Sequence, residues 1–570
     1  MALLVLPSAL NVPQSTPSQT LEFAPVPPTD DEPPPPDAGN TSSLGLGSSG
    51  SLGTMAVTAE QAGVGIPEIP IGVGASPVTK RCVGSPPRQT EDALAPPCVA
   101  FFEGDNGGAT APGVSGGEVR VLVYKDPDSG EVGGELYDLG EPPEDGEYLT
   151  LGEWRIFQTH FNQRYQTYGR RVHFWVHYAD ETTTPEQRTA DAIRALDEVD
   201  PFAVISYAAG NAETYVGTLT NRDRLVFLGN PEYGAEAGLG AEQQFYAGAA
   251  GKIWSFWPTI ERRAALYATS VCREFVPHEV SYSGQAADLG TPRAFGVLRA
   301  ADPARRDLDR YWELVTEAVG NCGGNVVATG TFRRDSTICT DPSNAVANMA
   351  ELQSKGTTTI LFGGALNVCH SQTASGMNWL PEWFVMPDGD NNASWFARNQ
   401  DARAWEHARG MTLAPLRGLI EDDICVRAAV EADPSVEGDY TRTSTLCLSY
   451  PDARQLFTGI QVAGPMLTND NLERGFRAIP AIPSDDAAVE TCFYRPGEYT
   501  CLQDAQVQWW DPTGDDPQSS APGCWRSREG GRRYLVGTWP QSDITVLERP
   551  SDPCNGQGVP YPPPAAEQGQ

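Results

Sequence analysis

Between residues 118 and 389 the chain alternates short β-branched and aromatic runs with longer stretches of helical period, and it does so in two successive series. In the first, EVRVLVYKD (118–126) reads as a strand, YLTLGEWRIFQTHFNQRYQTYG (148–169) as an amphipathic helix and RRVHFWVHYAD (170–180) as a strand. TTPEQRTADAIRALDEVD (183–200) is a helix with Pro185 near its start, and PFAVISYAAG (201–210), a polar helix and RLVFLGNPEY (224–233) follow. Strands separated by helices over more than a hundred residues predict βαβ units and a parallel, doubly wound sheet. A helix, TIERRAALYATSVCREF (259–275), leads into the second series. This runs RAFGVLRAAD (293–302), LDRYWELVTEAVG (308–320), NVVATGTFRR (325–334), SNAVANMAELQSKG (343–356), TTTILFGGAL (357–366) and PEWFVMPDG (381–389). The expected fold class is therefore α/β, with two Rossmann-like lobes, parallel sheets and a hinge between them.

Outside those series the chain changes character. Residues 1–80 are rich in Pro, Gly and Ser, with no hydrophobic period of 2 or 3.6, and are expected to be disordered. GLGSSG at 45–50 matches a dinucleotide fingerprint in letters only, because no strand precedes it and no helix follows. The expected divisions are a first lobe with a disulfide lead-in over 81–257, a second lobe over 258–410 and return segments over 411–484. A cysteine-containing β-rich closing segment takes 485–555, and a disordered tail takes 556–570. Within the return segments, residues 451–479 read as helix broken at Gly464 and Pro465.

Charge narrows the function classes. Forty basic residues against 74 acidic ones leave −34 at pH 7, which repels phosphate backbones and anionic headgroups, so no nucleic-acid or membrane-surface partner is expected. No stretch approaches the roughly 20 apolar residues that cross a bilayer. The 12 cysteines lie dispersed and form no C-x-x-C, a usage that indicates disulfides and an oxidising compartment. Cys82/Cys98, Cys425/Cys447, Cys492/Cys501 and Cys524/Cys554 fall into local pairs, whereas Cys272, Cys322, Cys339 and Cys369 can pair in three ways and stay unassigned. Export is expected, although the apolar start MALLVLPSAL lacks the basic n-region of a signal peptide and reads as a shortened or misassigned start. The first cysteine is Cys82, so nothing supports a lipid anchor.

Catalytic signatures are missing: the sequence has no G-x-S-x-G, H-E-x-x-H or G-x-x-x-x-G-K-[ST]. His173 and His177 share one face of a strand, but the alternation in HFWVH equally describes a half-buried strand, and a catalytic zinc needs three ligands. DGDNN at 388–392 lacks the glycine and the acid that a calcium loop requires, since Ala393 and Asn399 stand in those places. No enzyme activity, cofactor or metal is expected.

Two parallel sheets facing each other bind ligands at the carboxyl ends of their strands. The GDNGGAT lead-in (104–110), the helix after WPT (257–259), the run from NVVATGTF to TTTILFGGAL and PEWFVMPDGDNNAS (381–394) together resemble the type 1 periplasmic-binding fold. Within it, the chain is most similar to the branched-chain amino-acid substrate-binding proteins of ABC transporters over residues 115–480. The resemblance implies a solute-binding protein that closes by hinge bending and serves an ABC-transporter permease. It places Asp388, in the turn Pro387-Asp388-Gly389, where the family binds the ligand's ammonium, and places Asn211, Asn230 and Glu232 where the family binds a carboxylate. Asp388 can equally shape an Asx turn with Gly389. Glu232 would repel a carboxylate, so a cationic, amide or polyol ligand fits better than a plain α-amino acid. Tyr148 and Tyr233 offer flat apolar contact with a hydroxyl tip, or simply cover the sheet edge. The long stalk, the extra disulfides and the replaced carboxylate-binding residues support the alternative, a cell-surface structural or interaction protein on the same fold. A sensor ectodomain would further need a membrane segment.

Overall fold

In a computed structural model, residues 89–557 are described apart from 91, 101, 128–129, 144–146, 181–183, 209–210, 230–240, 302–305, 334–338, 365–366, 389–393, 417, 481–488, 518 and 520. The 1–80 segment, Cys82 and the tail beyond residue 557 lie outside them.

Six strands form the first sheet: β1 Glu118–Lys125, β2 Leu136–Asp138, β3 Arg171–Tyr178, β4 Ala203–Ser206, β5 Leu225–Leu228 and β6 Ile253–Ser255. Their order is β2-β3-β1-β4-β5-β6, parallel throughout except for β2. Central strands of a parallel sheet are covered on both faces and need apolar residues on both. The buried run Val121 to Tyr124 of β1 meets that requirement. The second sheet is built from β7 Ala294–Ala300, β8 Asn325–Phe332, β9 Thr359–Gly363, β10 Glu382–Asp388 and β11 Ala408–Thr412. These parallel strands run in the order β8-β7-β9-β10-β11. Three antiparallel strands extend it, β12 Asp504–Asp515 beside β11, and β13 Pro522–Ser527 and β14 Arg533–Leu535 on β12.

Helices cover both sheets. Lobe 1 carries α1 Leu149–Arg164, α2 Pro185–Arg194, α3 Ala212–Thr220 and α4 Gln243–Gly248. Lobe 2 carries α5 Ile260–Ser270, α6 Arg306–Asn321, α7 Pro342–Ser354, α8 Cys369–Gly376, α9 Ser394–Arg398 and α10 Ala402–Trp405. The chain then returns to lobe 1 with α11 Ile424–Ala432, α12 Tyr440–Ala463 and α13 Asn469–Ala478. Local chemistry fixes several starts: Thr184 caps α2 by accepting from Gln187 N at 3.2 Å with Pro185 in the first turn, and Thr259 caps α5 through Arg262 N at 3.2 Å. The interruption expected at Gly464 and Pro465 separates α12 from α13, but α12 begins earlier than the sequence suggests and runs through Pro451.

Helix α1 departs from the amphipathic expectation. Beside Leu151, Trp154, Phe157 and Phe161 it buries Glu153, Gln158, His160 and Arg164, because α11 and α12 cover the side that would otherwise face water. Phe161 stacks on Phe457 of α12 with ring centroids 5.1 Å apart, and Glu431 of α11 lies 3.1 Å from His160 Nδ1 and 2.5 Å from Arg164 Nη2.

Disulfides link Cys272 with Cys322, Cys339 with Cys369, Cys425 with Cys447, Cys492 with Cys501 and Cys524 with Cys554. Cys98 is disulfide-bonded as well. At the amino edge of the second sheet, Arg293 and Glu382 form a fully buried ion pair, with Nε to Oε2 at 2.8 Å and Nη2 to Oε1 at 3.2 Å. Every remaining valence is used. Ser281 N, Tyr282 N and Thr359 Oγ1 donate to the carboxylate, and the guanidinium donates to the carbonyls of Phe275 and His278 and to Ser281 Oγ.

Candidate functional site

Leaving β2 and the added strands aside, both sheets have the doubly wound order in which the second strand precedes the first and the third to fifth follow. In each, the crossover connections diverge between the first and third strands, β1/β4 in lobe 1 and β7/β9 in lobe 2. Open sheets of this order bind ligands there, in a crevice outside the carboxyl ends.

In lobe 1 the crevice is flanked by Tyr207, which directly follows β4. Its ring lies against Gly229 at the end of β5, where a Cβ would stand 2.2 Å from the ring, so only glycine fits. Its hydroxyl donates to Asp452 Oδ2 of α12 at 2.9 Å. On the other side of the crevice Lys125, the last residue of β1, is buried against Glu131 (3.1 Å) and Thr150 (3.2 Å), and Tyr178 donates to the same Glu131. Arg188 of α2 bonds Asp126 at 2.6 Å and the Tyr124 hydroxyl at 2.7 Å, while Tyr124 donates to Asp191 at 2.5 Å. Arg155 of α1 is held by Glu147. Each of these three cations is thus committed to a carboxylate.

The second lobe repeats the device of an aromatic ring over a strand-end glycine. Trp312 of α6 packs on Gly363, where a Cβ would come within 2.4 Å of the indole. Beside it His370 of α8 is fixed by Asn367 Oδ1 at 2.8 Å and Asn348 Nδ2 at 3.1 Å, and the Cys339–Cys369 bond secures the same helix start.

Asp388 is the last residue of β10 and pairs with Thr412 of β11, at the carboxyl end of the fourth strand. Asn211 is exposed, adopts the left-handed region at φ 58° and precedes α3 without capping it. Tyr148 precedes α1 and meets Tyr137 and Tyr178 edge-on, with centroids 6.1 and 5.8 Å away. Tyr148 therefore stands on the β2/β3 side of the crevice and Asn211 on the β4 side. Asn230, Glu232 and Tyr233 lie outside the described residues, as does most of the 388–392 run. Tyr207 and Asp452 were not anticipated. Tyr207 carried the same strand-end signal as Asn211, whereas Asp452, 245 residues further along, carried none.

His173 and His177 do not converge on a metal. His173 bonds Glu118 at 2.8 Å through Nδ1 and Asp138 at 2.6 Å through Nε2, while His177 is buried beside Tyr124. Among the described residues Asp423, Cys425 and Cys447 lie within 4.8 Å of one another, but both sulfurs are committed to a disulfide.

Burial pushes the imidazoles of His177 and His370 down to about 4 from the ordinary 6.5. Unfolded, they bind protons as the pH falls through 6.5; folded, they resist until about 4. Their contribution to stability is therefore fully present above 6.5 and is lost progressively between 6.5 and 4. The melting temperature is expected to drop from pH 7.5 to pH 5, with a shallower drop in His370→Gln; equal slopes in the two proteins would contradict this assignment.

No protein-family model matches the chain, and no curated protein matches it by sequence. Solved structures do. An ABC-transporter substrate-binding protein from Aeropyrum pernix superposes with a TM-score of 0.50 at 10% identity, covering 76% of this chain and 100% of that one. A branched-chain amino-acid ABC-transporter periplasmic ligand-binding protein from Burkholderia xenovorans LB400 gives 0.49 at 14%, covering 74% and 96%. The leucine-, isoleucine-, valine-, threonine- and alanine-binding protein of Brucella ovis gives 0.49 at 10%, covering 76% and 100%. The chain has the type 1 periplasmic-binding fold. Among the described residues no helix is long and apolar enough to cross a membrane.

Proposed function

We propose that this chain is an extracytoplasmic solute-binding protein that holds a small polar ligand between its lobes and delivers it to an ABC-transporter permease. The observation that carries the reading is the pair of like-ordered sheets, each with a switch point of its crossovers, the place where such sheets bind ligands. The ligand chemistry follows from charge. Lys125, Arg188 and Arg155 on the lobe 1 side are all ion-paired, while Asp452 adds negative charge. A ligand carboxylate finds no uncommitted cation among these described groups, so an amide, a polyol or a cation such as a polyamine fits better than an amino acid. Asp388 is the residue proposed to bind a ligand cation from lobe 2.

Native mass spectrometry of protein from its own host, followed by thermal-shift screening and calorimetry, tests the reading. One equivalent of a small polar molecule is expected, with Asp388→Ala weakening its binding by about tenfold or more, the scale of one charge-assisted hydrogen bond. Unchanged affinity would remove Asp388 from the site, and an empty cleft across a broad library would remove the solute. The alternative, a cell-surface interaction protein on the same fold, is supported by the strands β12–β14 and by the extra disulfides.

A further inference from the structure

Each sheet has two outer strands, and three of these four edges are short or covered. β2 has only three residues. Beyond β6 the chain at 499–501 carries the ladder on, with Ser255 N donating to Tyr499 O and Cys501 N to Ser255 O, both at 3.0 Å. Beyond β13, Ser527 N donates to Pro553 O at 3.0 Å and Asn555 N to Trp525 O at 3.1 Å. The fourth edge is β8. It is eight residues long, and among the described residues no strand pairs its outer side.

One bond shows which of its backbone groups point outward. Ala301 N donates to Phe332 O at 2.7 Å, so the backbone of Phe332 faces β7. Alternation along a strand then turns Gly330 the same way and turns the N–H and C=O groups of Thr329 and Thr331 outward. Both threonines are exposed, whereas Gly330 and Phe332 are buried. Thr331 O accepts from Asn348 Nδ2 of α7 at 2.9 Å and keeps a second lone pair. The register with β7 skips Val327, a bulge that confines the regular run to 328–332.

Long edges are ordinarily guarded against pairing by charge or proline. The strand NVVATGTF has neither. The first nine residues of α7, which packs beside it, are PSNAVANMA, uncharged as well and with Val346 exposed. A net charge of −34 makes two copies of this chain repel each other over most approaches. They meet at least cost where neither presents a carboxylate, and β8 with the start of α7 is such a place.

We propose that β8 pairs with β8 of a second copy of this chain, antiparallel about a two-fold axis through Gly330. Thr329 then lies opposite Thr331 of the partner subunit, and the reverse, each pair exchanging two backbone hydrogen bonds. Threonine pairs across strands are favourable, and Gly330 puts no side chain at the axis, where the strands come closest. With one open edge per copy the assembly closes at two. The dimer is independent of whether the cleft holds a solute.

Sedimentation and native mass spectrometry of the full-length protein over a range of concentrations test the proposal. A monomer–dimer equilibrium with no larger species is expected. Raising the salt to about 1 M, where the screening length falls to about 3 Å, should tighten it, because the copies repel. Hydrogen exchange locates the contact: the amides of Thr329 and Thr331 should slow at least tenfold as concentration rises, while those of Gly330 and Phe332, facing β7, stay slow throughout. Thr329→Pro removes an outward N–H at an edge position, where proline leaves the ladder intact, and should weaken the dimer at least tenfold. If that variant fails to fold, Thr329→Asp with Thr331→Asp sets carboxylates directly opposite one another and should give a monomer. A monomer at every concentration and salt, an open-ended series of larger species, or a dimer that the folded variants leave unchanged would overturn the inference.

Discussion

Replacing Arg293 with alanine is expected to destabilise the second lobe by about 3–5 kcal/mol, the cost of leaving one member of a buried ion pair alone. Glu382 would keep the three donors from Ser281, Tyr282 and Thr359 but lose its cation, and the carbonyls of Phe275 and His278 would lose theirs. The pair lies at the amino edge of the sheet, away from the carboxyl ends, so ligand affinity in the surviving folded fraction should not change. Denaturant unfolding followed by the buried Trp383 and Trp405 measures the effect. The double replacement Arg293→Met with Glu382→Leu should recover only part of the loss, because it removes the unpaired charge but leaves Ser281 N, Tyr282 N and Thr359 Oγ1 without their acceptor. A loss below about 1 kcal/mol in the single variant, the range of exposed pairs, would mean that water reaches the site.

Removing the Cys272–Cys322 bond by double serine substitution should cost about 4 kcal/mol, as expected for closing a loop of this length in the unfolded chain. The cysteines lie 50 residues apart and join the end of the α5 helical run to the end of α6. Those helices pack on each other, so the bond constrains the unfolded chain while asking little of the folded one. Equal unfolding midpoints for the two proteins would show that the second lobe keeps these ends together without it.

The major strands of both lobes could be read from the sequence because buried parallel strands need runs such as VRVLVY and TTTILFG, which few other elements use. Strands β6 and β11 could not. IWS is only three residues long, and ARGMT has neither β-branched bulk nor alternation, since β10 and β12 on either side hold it in place. Cys425/Cys447, Cys492/Cys501 and Cys524/Cys554 were visible as local pairs, whereas Cys272, Cys322, Cys339 and Cys369 admitted three pairings that spacing does not decide, because the tertiary fold brings Cys272 to Cys322 and Cys339 to Cys369. At the site, positions just after strands were legible: Asn211 follows β4 and Asp388 ends β10. The partner that orients Tyr207 was not, because Asp452 reaches it from a helix that the chain makes only after finishing the parallel strands of the other lobe.

That order of manufacture has a kinetic consequence. Synthesis delivers all six strands of the first sheet by residue 255, yet the helices that cover α1 and β6 are α11 to α13, ending at residue 478. Until they arrive, Phe157, Phe161 and Tyr165 lack Tyr450 and Phe457, and Trp254 lacks Phe476. A nascent chain of ordinary domain order folds its N-terminal part first, but here that part stays sticky while more than two hundred further residues are made. Both lobes thus finish late, the first when α13 is made by residue 478 and the second when β12 to β14 are made by residue 535.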